Sequence, residues 1–111
     1  MLMALSSDPE RARIFNAYTW VPETTGLTDE DIIRAEYQTT ALLRHLENLY
    51  LQHKLGMLSD EIWRTRRALL KAVVLSPGYE RFQETASAQT FDGAFRHYAS
   101  RLRADHASGG S

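Results

Sequence analysis

Between residues 29 and 55 the chain carries apolar positions at the helical period, without a single proline or glycine. Stepping 100° per residue, as an α-helix does, sorts these positions into faces. Leu49, Leu42, Ala35, Leu46, Ile32, Tyr50 and Leu43 share one broad arc, and Ile33, Leu51, Tyr37 and Leu55 form a second strip farther round. Glu36, Thr40, Glu47 and Lys54 run between the two strips, while Arg34, Gln38, His45, Asn48 and Gln52 make the solvated face. The pattern predicts one long central helix that touches neighbours on two sides, with Glu47 partly buried between them.

The flanking segments read as shorter helices. Ser7-Asp8-Pro9-Glu10 offers a capping side chain, an early proline and a first-turn carboxylate, so a first helix starts at Ser7 or Asp8 and ends near Trp20. Proline and glycine bracket a loop over residues 21–26. Thr28, followed by Asp29, Glu30 and Asp31, is the strongest helix start in the chain, because three carboxylates sit at the positive end of the helix dipole. Gly56 suits a left-handed cap, and Ser59-Asp60-Glu61 at once starts a third helix reaching about residue 75. Two helices joined so tightly must be antiparallel neighbours.

Ser76-Pro77-Gly78 stops the third helix, residues 79–88 suit a short fourth, and Thr90 caps a fifth whose seam is Phe91, Phe95, Tyr98 and Leu102. There is no internal repeat and no alternating valine-rich or isoleucine-rich stretch that calls for a strand. The expected fold is therefore all-α, a small antiparallel bundle of about four to five helices around the long central one. Residues 1–106 form one domain, and residues 107–111 are expected as a disordered tail.

The third helix contains an anomaly. Its apolar arc of Ile62, Leu69, Val73, Leu70, Trp63 and Val74 has Arg66 in the middle, and an arginine placed there needs a partner. If the hairpin folds about the turn after Gly56, residues whose numbers sum to about 113 face each other. That register sets Tyr50 against Trp63, Leu43 against Leu70 and Glu47 against Arg66. The expected role of the last couple is a structural ion pair that fixes the hairpin; the alternative is a catalytic or ligand-binding carboxylate.

Composition narrows the functional classes. The 111 residues are 43% apolar, enough for one core without covalent staples, and the absence of cysteine excludes disulfides and thiolate metal sites. Thirteen basic residues against 14 acidic ones leave a formal charge of -1, which supplies no chain-wide attraction to nucleic acid or anionic lipid. The longest purely apolar runs, residues 1–5 and 72–75, fall far short of the roughly 20 residues a membrane helix needs.

Candidate chemistry is sparse. A di-metal bundle supplies Glu-x-x-His on facing helices, and no such tetrapeptide is present. His45 and His53 lie about 80° apart around one helix and cannot grip the same ion; His97 and His106 fall on or after the last helix among arginines. No nucleophile and base are paired by spacing and no glycine-rich phosphate loop occurs, so the sequence implies no catalytic residue, no metal and no cofactor. Arg64, Arg67 and Lys71 form a basic stripe opposite the apolar arc of the third helix, which reads first as a solvated face and second as a nucleic-acid contact.

The run from Leu43 to Gly56, with Glu47-Asn48, Tyr50, Gln52 and Gly56 followed by Leu58 and Trp63, resembles a group of uncharacterised bacterial helical proteins. The likeness extends over about residues 3–102, through the Ser-Asp-Pro-Glu segment, the Ser-Pro-Gly stop and the aromatic-rich end; Phe82-Gln83 stands where relatives often carry a tryptophan pair. It implies a helical module that follows an amino-terminal transmembrane anchor, of which residues 1–5 would be a remnant. It transfers no activity.

Three functions follow as expectations. The first is a non-catalytic interaction module that self-associates as a dimer, with Leu2, Leu5, Ile14, Phe15 and Tyr18 as an incompletely covered surface. The second is a small-ligand-binding or enzymatic bundle, with Glu47, Tyr50, His53 and Trp63 lining a pocket. The third is nucleic-acid binding through the basic stripe, which the charge balance disfavours.

Overall fold

The computed structural model describes residues 9–24 and 26–109. Among them are five α-helices and one 3-10 turn: α1 Pro9–Trp20, α2 Asp29–Lys54, α3 Asp60–Val74, α4 Pro77–Phe82, the 3-10 turn Ser87–Thr90, and α5 Gly93–Gly109. No strand occurs among the described residues. The all-α bundle around a long central helix is what the patterning predicts, with α2 in contact with α1, α3 and α5.

Local chemistry fixes the helix ends. Thr28 and Asp31 form a reciprocal capping box, the Thr28 hydroxyl accepting from Asp31 N at 3.0 Å and the Asp31 carboxylate accepting from Thr28 N at 3.1 Å. At the other end of α2, Gly56 takes φ +75°. Met57 N then donates to Gln52 O at 2.9 Å and Gly56 N to His53 O at 3.0 Å, the doubled closure that satisfies carbonyls left over at a helix end. The Ser59 side chain accepts from Ile62 N and opens α3, and Ser76 does the same for α4 at Tyr79 N.

Several boundaries differ from expectation. The cap at Ser7 or Asp8 lies outside the described residues. Residues 79–88 do not make one helix: α4 ends at Phe82 and the chain resumes helical form only in the 3-10 turn. Thr90 does not cap α5, because its hydroxyl donates to Ser87 O within that turn. Asp92 takes the role, accepting from Phe95 N at 3.1 Å. At the carboxyl end α5 continues through Gly109, past residue 106 where a tail was expected, since Ala104 and Ala107 favour helix and no proline intervenes.

The main core joins Leu42, Leu43, Leu46 and Tyr50 of α2 to Trp63, Leu70, Val73 and Val74 of α3, and closes over Phe82, Phe91, Phe95 and Leu102. A smaller cluster of Ile14, Tyr18 and Ala35 seats α1 on the first half of α2. The second strip of α2 packs as expected only at Leu51, which is partly buried against the main core. Ile33, Tyr37 and Leu55 are 52%, 72% and 74% exposed. Between them, the junction of the 3-10 turn and α5 meets α2 at Arg44 and Glu47.

Candidate functional site

The hairpin register is as the sequence predicts, but the ion pair built on it is not. Tyr50 and Trp63 meet with ring centroids 5.9 Å apart, and His53 Nε2 reaches Asp60 Oδ1 at 2.8 Å across the turn. Glu47 and Arg66 share that register, yet Arg66 is exposed on α3 and makes no pair with Glu47. Glu47 instead accepts from the backbone N–H of Asp92 at 2.6 Å and lies 3.4 Å from Arg44 Nη1. The start of α5 supplies an N–H and a positive dipole end at this level of α2, and Arg44 supplies a cation one turn away. Arg66 therefore keeps its hydration, avoiding the cost of burying a guanidinium.

Arg44 completes this junction. Its guanidinium donates to Thr90 O at 3.3 Å and to the Thr90 hydroxyl, and stacks 4.1 Å from the centroid of Phe91. One carboxylate and one guanidinium of α2 thus hold the entry to α5, which is a structural task.

Of the four residues expected to line a pocket, three come together. Trp63 and Tyr50 are buried, His53 stacks on Trp63 at 5.3 Å, and the Tyr98 ring closes on Tyr50 at 4.8 Å and on Trp63 at 6.2 Å. These rings pack on one another, and the Glu47 carboxylate is turned to α5. Seated this way, the group is a core contact of the hairpin with α5, with Lys54 held 5.5 Å above the Tyr50 ring.

The basic stripe is exposed as expected at Arg64, Arg67 and Lys71, and Arg67 also donates to the Tyr98 hydroxyl at 2.7 Å. His97 and His106 are exposed and His45 is half-buried. No group of three His, Asp or Glu side chains among the described residues could hold a metal ion. Among the described residues no helix is long and apolar enough to cross a membrane.

Sequence reasoning missed two features. Arg81 of α4 reaches back to the end of α1, donating to Pro22 O at 2.8 Å, to Val21 O at 3.2 Å and to Tyr18 O, with its guanidinium 5.0 Å from the Tyr18 ring centroid. Glycine makes this approach possible: a Cβ on Gly78 would lie 2.5 Å from Tyr18 O and 2.6 Å from Thr19 Cα. The second is a cleft of about 330 Å³ between α4, the 3-10 turn and α5, lined by Tyr79, Phe82, Gln89, Phe91, Phe95 and Arg96 among others. Its signal was available: Arg96 and Arg103, seven residues apart, share a face of the last helix beside the aromatic seam.

No protein-family model, curated protein or solved structure matches the chain.

Proposed function

We propose that this chain is a non-catalytic helical interaction module that pairs with a second copy of itself through the turn end of the α2–α3 hairpin. The observation that carries this reading is the exposure of Leu55, Met57 and Ile62, at 74%, 72% and 49%. They bracket one turn. Scattered exposed apolar side chains are ordinary, but three at one end of a hairpin make a patch that a two-fold contact buries twice over. Met57 is telling, because the residue after a glycine helix cap commonly folds back onto the last turn, and here it stays in water.

The surface expected from the sequence offers less apolar area than the hairpin end. Ile14, Phe15 and Tyr18 are buried against neighbouring helices, and Leu2 and Leu5 lie outside the described residues. In the bacterial proteins that the Glu-Asn-x-Tyr motif resembles, a module of this kind follows a membrane anchor; pairing outside the anchor is the corresponding role.

Sedimentation equilibrium tests the reading. The wild type should show a concentration-dependent dimer, and the triple variant Leu55→Ser, Met57→Ser, Ile62→Ser should be monomeric with an unchanged helical spectrum. A wild type that stays monomeric at about 0.5 mM would overturn it.

A further inference from the structure

Away from the hairpin end, the cleft between α4, the 3-10 turn and α5 has the build of a ligand site. Its floor is a continuous series of rings. Tyr79 and Phe82 lie 6.4 Å apart, Phe82 meets Phe91 edge-on at 6.3 Å, and Phe91 and Phe95 lie 5.9 Å apart, so a faceted aromatic wall passes from α4 to α5 behind the half-buried Tyr79. At about 330 Å³ the cleft falls at the small end of ligand sites, room for one or two fused rings. Space remains at the α5 end, where a Cβ built on Gly93 would meet nothing within 4 Å.

The rim is polar and cationic. Gln89 spans the cleft, its Nε2 donating to Gln83 O at 3.3 Å and its Oε1 accepting from Arg96 Nη2 at 2.7 Å. Arg103 lies 5.6 Å above the Tyr79 ring and is shared between Gln83 Oε1 at 2.6 Å and Glu80 Oε1 at 3.0 Å. The two guanidinia differ in one respect. Arg103 has a carboxylate partner, whereas Arg96 is held by a neutral amide, and no carboxylate of the described residues pairs with it. Burial pushes the Tyr79 phenol upward while the nearby Arg103 and Arg96 draw it back.

The geometry points to a binding site for a small aromatic carboxylate, its ring against Tyr79 and the aromatic wall behind it and its carboxylate on Arg96 in place of the Gln89 amide. The exchange is favourable because a guanidinium meets a carboxylate through two parallel charged hydrogen bonds, roughly twice as strong as its bond to a neutral amide. The ring supplies the apolar contact and the carboxylate fixes orientation. The site is separate from Leu55, Met57 and Ile62, so its test is independent of the dimer.

Backbone amide NMR with indole-3-acetate as the probe tests the assignment, with 3-methylindole and hexanoate as the neutral and the non-aromatic controls. Indole-3-acetate should shift the amides of Phe91, Gly93, Arg96 and Ser100 with a dissociation constant of about 1 mM, both controls binding about fivefold or more weakly. Arg96→Gln should weaken indole-3-acetate by about tenfold, to the level of 3-methylindole, at an unchanged melting temperature. Gln89→Ala frees Arg96 and should tighten binding about twofold. No shift at about 10 mM, an equal response to hexanoate, or an Arg96→Gln variant that binds as the wild type does would overturn it.

Discussion

Two helix junctions of the bundle solve the same problem in different ways. A helix leaves carbonyls unpaired at its end and N–H groups unpaired at its start, and each set attracts the opposite charge. At the end of α1 a cation from a distant helix, Arg81, takes the carbonyls of Tyr18, Val21 and Pro22. At the start of α5 an anion from a distant helix, Glu47, takes the N–H of Asp92. The α1 end is crowded until backbone meets backbone, and leaves Tyr18 Oη, Thr19 Oγ1 and Arg81 Nε buried without hydrogen-bond partners. The α5 start stands off at side-chain length, and both Glu47 and Arg44 are engaged. Close packing sets the first junction, with Arg81 as its polar clasp, and charge sets the second. Added volume should break the one, and removed charge the other.

The largest effect falls on the crowded junction. Gly78→Ala adds one methyl group against Tyr18 O and Thr19 Cα, backbone atoms that cannot rotate away. Within α4 alone the exchange would stabilise by about 1 kcal/mol, because alanine is the better helix former. The steric conflict outweighs this, and urea unfolding should show a net loss of about 2 kcal/mol. A variant more stable than the wild type would mean that α1 and α4 do not approach this closely.

At the second junction the volume is tolerant and the charge is not. Glu47→Gln keeps an acceptor of the same length but removes the charge, so unfolding should lose about 1 kcal/mol. Arg66→Met, in the same register yet exposed, should stay within about 0.5 kcal/mol of the wild type, and the two changes should add. A double-mutant cycle with strong coupling would restore the Glu47 to Arg66 pair that the sequence suggests.

That contrast shows what the sequence holds. Thr28, Gly56, Ser59 and Ser76 act on backbone a few residues away, so their residue types announce the helix ends, and the tight turn at Gly56 carries the α2–α3 register with it. Glu47 does not act locally. Its partner is an N–H 45 residues further along, and a backbone N–H is the same at every non-proline position, so no residue type marks it. Arg66 sits on the apolar arc of α3 by spacing alone, but spacing does not say where neighbouring helices stop, and that part of the arc faces water, as Ile62 does. Arg81 was hidden for the same reason as Glu47, because backbone carbonyls are its partners.

The smallest effect runs in the opposite direction and returns to the crowded junction. Tyr18 is 1% exposed, and its hydroxyl has no hydrogen-bond partner. Burial, with Glu36 adding and Arg81 opposing, raises its phenol from 10.0 to about 12. The fold therefore holds this proton more tightly than the unfolded chain does. The contribution is complete below about pH 10 and is lost as pH rises through about 12, because the unfolded chain sheds the proton first. Tyr18→Phe keeps the ring under Arg81 while removing the unpaired hydroxyl, and should gain about 0.5 kcal/mol at neutral pH. Its advantage over the wild type should widen above about pH 10, where the tyrosine becomes a liability. Paired thermal melts at neutral pH and near pH 10.5 read both effects, and the other tyrosines cancel in the difference. A phenylalanine variant less stable at neutral pH would show that the hydroxyl has a partner, and the crowded junction would then be held by one polar contact more than those Arg81 makes.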